Sequence, residues 1–283
     1  MRLLPKLNAN RRTILLSTWG LFTGLALLLI TAGVYSTLVG IRAELKNLPT
    51  IVSGGITTAY YAGFLLGSWY TLRALKQVGH IRVYAALASL LSASVLITGV
   101  YDSPLVWIIM RSSTGFCFAG LYVVAESWLN GLATNTFRGR LLAMYNVVTI
   151  GAYGAGQLLV FNFDARTLTG FAFAAVISSL AVIPVVMSEQ AATPAVENHT
   201  HITLRELAKI VPTGAGTILL VGLAHGGMLG MAVIYATREG LGVGRVGILI
   251  AAIQLGGMAL TWPISSASDD IDRRIIGVLS SLA

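Results

Sequence analysis

The chain has 283 residues, of which 55% are hydrophobic and only 11% are charged. Soluble domains carry about 25% charged residues, so this composition excludes a soluble globular protein and indicates one that crosses a membrane several times. The net charge of +8 does not indicate a nucleic-acid-binding protein, because the basic residues are spread over separate loops and do not gather on one polar face.

Eight apolar segments approach or exceed the length of about 20 residues that crosses the hydrocarbon core of a bilayer. They lack the period-two alternation of barrel strands, so each segment is predicted to be a helix. In chain order, the predicted segments are 13–41, 51–71, 83–100, 105–130, 141–162, 167–187, 211–236 and 246–264.

The 19 Lys and Arg residues are unevenly shared between the two sides of the membrane if the N-terminus lies in the cytoplasm. Basic residues concentrate on the cytoplasmic side of membrane proteins, so we predict a multi-pass protein of the plasma membrane, which is the inner membrane in a bacterium, with its N-terminus inside. The first segment is too long for the apolar region of a signal peptide and is predicted to remain as a helix. The basic residues predicted to lie in outer loops are Arg42, Lys46, Arg166, Arg238 and Arg245.

A polar stretch interrupts the apolar segments after the sixth one and divides the chain. We predict a six-helix N-terminal bundle over 1–187, a cytoplasmic linker over 188–210 and a partial C-terminal bundle over 211–283. Thr203 and Glu206 have the spacing of a helix N-cap and its partner, so the linker contains either a short surface helix or an ordinary loop.

Small residues recur at four-residue spacing in three segments. Such faces let helices approach closely in a bilayer, where there is little hydrophobic drive between helices. They are predicted to serve static packing or, alternatively, to let one bundle move against the other. The faces are Gly63/Gly67, Gly115/Ala119 and Gly222/Gly226/Gly230.

Arg111 is the sharpest candidate for a functional side chain. It lies about seven residues into the fourth segment, or roughly 10 Å deep, where a charge costs about 2.5–3.5 kcal/mol and normally faces a cavity or a partner. We predict that it lies on a transport path, for anion attraction or coupling; a structural pair or a side chain that reaches the outer surface is the alternative. His225 and Gln254 are weaker candidates for the same path, with hydrogen bonding between helices as the alternative.

Glu126 lies near the predicted cytoplasmic end of the fourth segment. Arg73, Arg138 and Arg140 are predicted on the same side of the membrane, so we interpret Glu126 as part of a charge cluster that latches the inner side. A proton-carrying carboxylate and a simple solvated helix end are the alternatives.

A basic turn follows the second segment and recurs after the eighth. The first copy contains Arg73 and Lys76, and the second contains Asp269 and Arg273. A repeat separated by six membrane segments implies two six-helix halves.

The fourth segment and the loop after it carry a further set of motifs. Arg111, Gly115 and Ala119 are spaced four residues apart, and an Arg-Gly-Arg run follows Glu126. Together with the glycine-rich fifth segment and the repeated turn, these motifs resemble the major facilitator superfamily, and the run Ala-Glu-Ser-Trp-Leu-Asn around Glu126 resembles its YcaD-type branch. The resemblance implies an all-α polytopic fold with a complete N-terminal bundle and two to three helices of the C-terminal one. It also implies a cytoplasmic gate formed by Arg73, Glu126, Arg138, Arg140, Asp269 and Arg273.

The sequence therefore predicts a secondary active transporter that moves a small molecule by alternating access, with protons as one option for the coupling ion. It contains no metal-ligand cluster, phosphate-binding glycine loop or nucleophile arrangement, so we predict no enzymatic activity and no bound metal or cofactor. The chain ends at Ala283, inside the expected ninth segment. On that ground the alternative is a truncated or degenerate membrane protein with a sensor or assembly role and no transport activity.

Overall fold

The computed structural model describes residues 4–132, 138–188, 206 and 209–270. Side chains are described for all of these residues except 4–17, 132, 138–140, 229–230, 243, 258 and 260–270. Throughout the described part of the chain the regular structure is helical. The α-helices are α1 Leu4–Leu45, α2 Thr50–Val78, α3 His80–Val100, α4 Pro104–Leu132, α5 Arg138–Leu159, α6 Thr169–Leu180, α7 Val182–Met187, α8 Pro212–Arg238 and α9 Val243–Asp270, with a 3-10 turn at Val160–Asn162.

These helices confirm the eight predicted segments, with the sixth divided into α6 and α7 by a break at Ala181. The break has a local cause: Pro184 has no backbone N–H, so the carbonyl four residues earlier, at Leu180, loses its helical donor. The predicted linker over 188–210 lies mostly outside the described residues, although Glu206, Lys209 and Ile210 are helical.

The first helix continues beyond the predicted end of its segment. α1 reaches Leu45, so Arg42 lies in the helix and not in an outer loop, where the sequence placed it. The side chain of Arg42 is only 6% exposed, because partners on neighbouring elements draw it inward.

Five described helical stretches are long and apolar enough to cross a membrane: Thr18–Leu45, His80–Val100, Pro104–Gly131, Thr169–Met187 and Pro212–Arg238. A shorter apolar stretch, Gly244–Gly257, lies within α9. The more polar helices α2 and α5 pack along α4 and α1 respectively. Both carry polar side chains that face a cavity, which accounts for their lower hydropathy. The chain is a multi-pass membrane protein.

Helices α1–α6 pack in related pairs. α2 packs along α4 as α1 packs along α5, and α3 contacts α4 as α1 contacts α6. If α1, α2 and α3 trade places with α4, α5 and α6 respectively, each of these contacts becomes another of the same contacts. The three-helix inverted repeats of transporters have this property. On the other side of the cavity, α8 packs against α1, and α9 packs against α5.

Glycines permit backbone contact where α2 crosses α4. A Cβ atom on Gly63 would collide with the carbonyl of Ser112, and one on Gly115 would collide with the carbonyl of Tyr60. Gly67 likewise lies against the backbone of Phe116. The predicted close packing by Gly63, Gly67 and Gly115 is therefore confirmed.

The crossing of α1 and α5 has the same construction. Gly33 lies against the carbonyl of Tyr153, and Gly156 lies against the carbonyl of Ile30. In the glycine face predicted in the seventh segment, no described atom lies within 4 Å of a Cβ position on Gly222, whereas one on Gly226 would lie 3.5 Å from the ring of Tyr61. Gly230 lies outside the described side chains. Glycines thus permit backbone contact at the crossings of α2 with α4 and of α1 with α5, and Gly20 and Gly247 lie in the same way against the carbonyls of Pro184 and Gln157.

We expect Gly115→Ala to lower the thermal stability of the protein, because the added methyl group must displace the backbone of α2 at Tyr60. Overpacking of a close-packed site costs about 1–3 kcal/mol, so the midpoint of thermal unfolding in detergent should fall by several degrees. Gly55→Ala is the matched control, since nothing lies within 4 Å of its Cβ position and alanine favours a helix. Equal midpoints in the two variants would contradict the proposed role of this crossing.

Candidate functional site

A cavity of about 660 Å³ lies between the N-terminal helices and α8 and α9. Arg111, His225 and Gln254, the three side chains predicted to lie on a transport path, all line it, and so does Glu126. They come from α4, α8 and α9, and α4 is distant in sequence from the other two. The candidate residues are therefore brought to one cavity by the packing of the helices.

Arg111 lies at the deep end of this cavity and is 9% exposed. Its guanidinium carbon lies 4.5 Å from the ring centre of Tyr60 and 5.3 Å from that of Tyr35. The buried Nε atom has no hydrogen-bond partner, and the ion pairs of the described residues do not include Arg111. Two aromatic faces thus hold a buried cation that has no anionic partner in the described part of the chain.

Aromatic side chains form much of the cavity wall, and the sequence did not single them out. The rings of Tyr60 and Tyr61 are 5.3 Å apart in an edge-to-face arrangement, and those of Phe64 and Tyr122 are 6.3 Å apart. Tyrosine is common in membrane helices for many reasons, so only the three-dimensional arrangement distinguishes these. The aromatic residues that line the cavity are Tyr35, Tyr60, Tyr61, Phe64, Phe118, Tyr122, Tyr145 and Tyr153.

We call the side of the α1–α2, α3–α4 and α8–α9 connections the outer side, following the predicted orientation. A smaller cavity of about 50 Å³ lies on the outer side of Arg111 and is lined by Gln157 and Val233 among others. The side chains shared by both cavities are Ser36, Thr57, Arg111 and Tyr153. The Tyr153 and Ser36 hydroxyl groups are hydrogen-bonded at 3.0 Å, so these groups form a partition across α1 and α5.

The outer ends of α1 and α8 are held together by an ion pair. Arg238 donates from Nε and Nη2 to the two carboxylate oxygens of Glu44, at 3.1 and 3.0 Å. Its Nη1 also lies 3.4 Å from the hydroxyl of Thr50 at the start of α2. Just below, a Cβ atom on Gly40 would lie 2.6 Å from Cγ1 of Val233. The cavity is therefore closed on the outer side by contacts between the N-terminal helices and α8.

A second outer cluster ties α1 to α3 and α6. The buried Arg42 pairs with Asp102 at 2.9 Å, donates to the carbonyl of Gly99 at 3.0 Å and lies 5.1 Å from the ring centre of Phe171. Lys46 pairs with the same carboxylate at 2.8 Å. Like Arg111, Arg42 is a buried arginine, but it has an anionic partner.

The inner end of the cavity contains Glu126, which is exposed. Its carboxylate accepts a hydrogen bond of 3.0 Å from the hydroxyl of Tyr145. Arg73, a predicted partner in the inner charge cluster, instead places its guanidinium 3.7 Å from the ring centre of Trp69, one turn earlier on α2. The described ion pairs do not include one between Glu126 and Arg73.

The other residues of the predicted gate lie wholly or partly outside the described part of the chain. Arg138, Arg140 and Asp269 belong to helices, but their side chains lie outside the described set, and Arg273 lies outside the described residues altogether. Among the residues that are described, no three His, Cys, Asp or Glu side chains are grouped as metal ligands would be.

Comparison with known proteins finds transporters by sequence and by structure. No protein-family model matches the chain. The Uncharacterized MFS-type transporter YcaD of Escherichia coli O45:K1 (strain S88 / ExPEC) and that of the K12 strain DH10B are each 26% identical over 262 residues, which is 90% of this chain and 67% of theirs. The crystal structure of a D-xylose-proton symporter superposes with a TM-score of 0.59 over 92% of this chain and 69% of that one, at 14% identity.

The chain thus spans about two thirds of the length of these proteins. The structural likeness shows the fold, and the sequence similarity extends over nine tenths of the chain. Together they show that the chain has the major facilitator fold and that its sequence is similar to YcaD-type transporters.

Proposed function

We propose that this protein is a secondary transporter that moves a small molecule across the plasma membrane, which is the inner membrane of a bacterium, by alternating access. The observation that carries the proposal is a cavity that extends from the exposed Glu126 to the buried Arg111, with the ion pair of Glu44 and Arg238 joining α1 and α8 beyond it on the outer side. A central cavity that is covered on one side is what one state of such a transporter requires.

The proposal treats 1–187 and 211–283 as parts of two bundles, joined by the linker over 188–210, that move relative to each other. The contacts that close the outer side are suited to such movement. Arg238 is 49% exposed at its side chain, and exposed ion pairs are weak because water and salt screen them. Such a contact can favour the closed state without making it permanent.

Accessibility of an introduced thiol tests this closure. Ser53 is 3% exposed and lines the small outer cavity, so we expect Ser53→Cys to react slowly with a membrane-impermeant thiol reagent applied from outside. Adding Glu44→Gln removes the charge that Arg238 binds and should raise the labelling rate by about 2- to 5-fold. The native Cys117 is buried and gives a low background.

Two controls make the labelling experiment specific. Glu239→Gln removes a carboxylate from the same outer side, outside the described ion pairs, and should leave the labelling of Ser53→Cys unchanged. Ser68→Cys lines the inner-side cavity, and its rate from the inner side should not rise with Glu44→Gln. If Glu44→Gln has no effect on Ser53→Cys, or affects both thiols alike, the outer closure is not the gate.

We further propose protons as the coupling ion, with Glu126 as the carboxylate that carries them, because it lines the cavity and is exposed at its inner end. Glu126→Gln should then lose substrate-driven proton movement in membrane vesicles while substrate exchange continues, since the amide cannot release a proton. Tyr145→Phe removes the hydrogen bond but keeps the carboxylate, so it should retain the coupling. Undiminished proton movement in Glu126→Gln would assign this carboxylate to the inner gate instead.

A further inference from the structure

We propose that the cavity binds a small organic anion with one negative group and an apolar, ring-sized body. Its anionic group would lie on Arg111 and its body would lie against the aromatic wall. This inference rests on the proposed function, because it names the class of substrate that the transporter would carry.

The first argument is the charge of Arg111. The guanidinium is buried and the described residues offer it no carboxylate. Its Nε atom has no hydrogen-bond partner, which is also true of the Nε atom of Arg42, so the difference between the two lies in the anionic partner. A desolvated cation without a partner is costly, and the cost falls when an anion pairs with it. The other buried arginine, Arg42, has such a partner in Asp102. The two buried arginines therefore differ in whether a carboxylate of the protein neutralises them.

The second argument is the support that two tyrosine rings give to the guanidinium. The ring centres of Tyr60 and Tyr35 lie 4.5 and 5.3 Å from its carbon, and Arg111 lines the cavity. A guanidinium carries a fork of N–H donors that matches a carboxylate. Arg111 is therefore held at the cavity, where an anion can reach it.

The third argument is the distance to the carboxylate in the cavity wall. Glu126 lies 15 residues after Arg111 on the same helix, or about 22 Å along its axis. It accepts its hydrogen bond from Tyr145 at the opposite end of the cavity. Glu126 cannot neutralise Arg111 at that separation, so the deep end of the cavity keeps one positive charge.

The fourth argument concerns the body of the ligand. The wall next to Arg111 is aromatic, with Tyr60, Tyr61, Phe64 and Tyr122 in contact with one another. Hydroxyl groups of Tyr153 and Tyr145 are already bonded to Ser36 and Glu126. Aromatic walls favour apolar or aromatic ligands, whereas a polyol needs many free donors and acceptors. The volume of about 660 Å³ accommodates a ring-sized body.

Matched probes test the inference on the purified full chain in lipid nanodiscs, by calorimetric titration. The probes are phenylacetate, its neutral amide phenylacetamide, the cation phenethylamine, acetate, which lacks the ring, and the polyol xylose. We expect phenylacetate to bind at least tenfold more tightly than phenylacetamide and acetate, and we expect phenethylamine and xylose to bind more weakly still.

Variants then assign the preference to its residues. Arg111→Gln should remove the tenfold preference for phenylacetate over its amide and leave the amide affinity unchanged. Arg111→Lys keeps the charge and should keep part of the preference, which guards against a folding defect in the glutamine variant. Tyr60→Leu should weaken every ring-bearing probe, and Tyr60→Phe, which keeps the ring, should bind these probes more tightly than Tyr60→Leu does. Arg166→Gln removes an exposed cation that is not among the residues lining the cavity and should change nothing.

The inference is overturned if phenylacetate fails to bind, if the amide or xylose binds as tightly, or if Arg111→Gln weakens the anion and its amide equally. These outcomes are distinct from failure of the proposed function. A protein that binds phenylacetate through Arg111, yet shows no effect of Glu44→Gln on the Ser53→Cys thiol, would be an anion-binding membrane protein without the outer gate. If the outer gate works but the cavity shows no preference for the charge of the probe, the proposed transport function stands and the proposed substrate class is wrong.

Discussion

Close backbone contact at the α2–α4 crossing is the constraint on which the rest of the site depends. Gly115 lies one turn after Arg111 on α4 and meets the backbone of Tyr60 on α2. Because no side chain separates the two helices there, the ring of Tyr60 comes within 4.5 Å of the guanidinium carbon of Arg111. In a bilayer, small residues supply this kind of contact where water cannot drive helices together. The same glycines thus pack the bundle and position its buried cation.

Two buried arginines show how differently a membrane bundle can treat the same side chain. Arg42 reaches Asp102 and the carbonyl of Gly99, so its charge is compensated and it joins α1 to α3. Arg111 is buried to a similar degree and lies beside two tyrosine rings, with no anionic partner in the described ion pairs. A compensated charge stabilises the bundle, while an uncompensated one at a cavity is available to a ligand. The difference lies in their surroundings and not in the residue type.

Much of this arrangement could be predicted from the sequence, and the misses have identifiable causes. The transmembrane helices and Arg111 were predictable because the transfer of each residue into the bilayer costs or gains free energy almost independently of its neighbours. Arg42 was assigned to a loop because hydropathy falls at the end of α1, although Asp102 holds it in the helix. The pair of Glu44 and Arg238 joins residues 194 positions apart, and two such common residue types carry no signal of pairing.

Three properties follow from the sequence alone: the chain crosses a membrane as a series of helices, certain residues are costly to bury, and small residues permit close contact at certain positions. The folded arrangement is needed to see that Arg111, His225 and Gln254 share a cavity with a wall of tyrosines, and that Glu44 and Arg238 pair on its outer side. This division arises because transfer free energies belong to single residues along the chain. Pairing energies depend instead on distances between atoms that the chain brings together from remote positions.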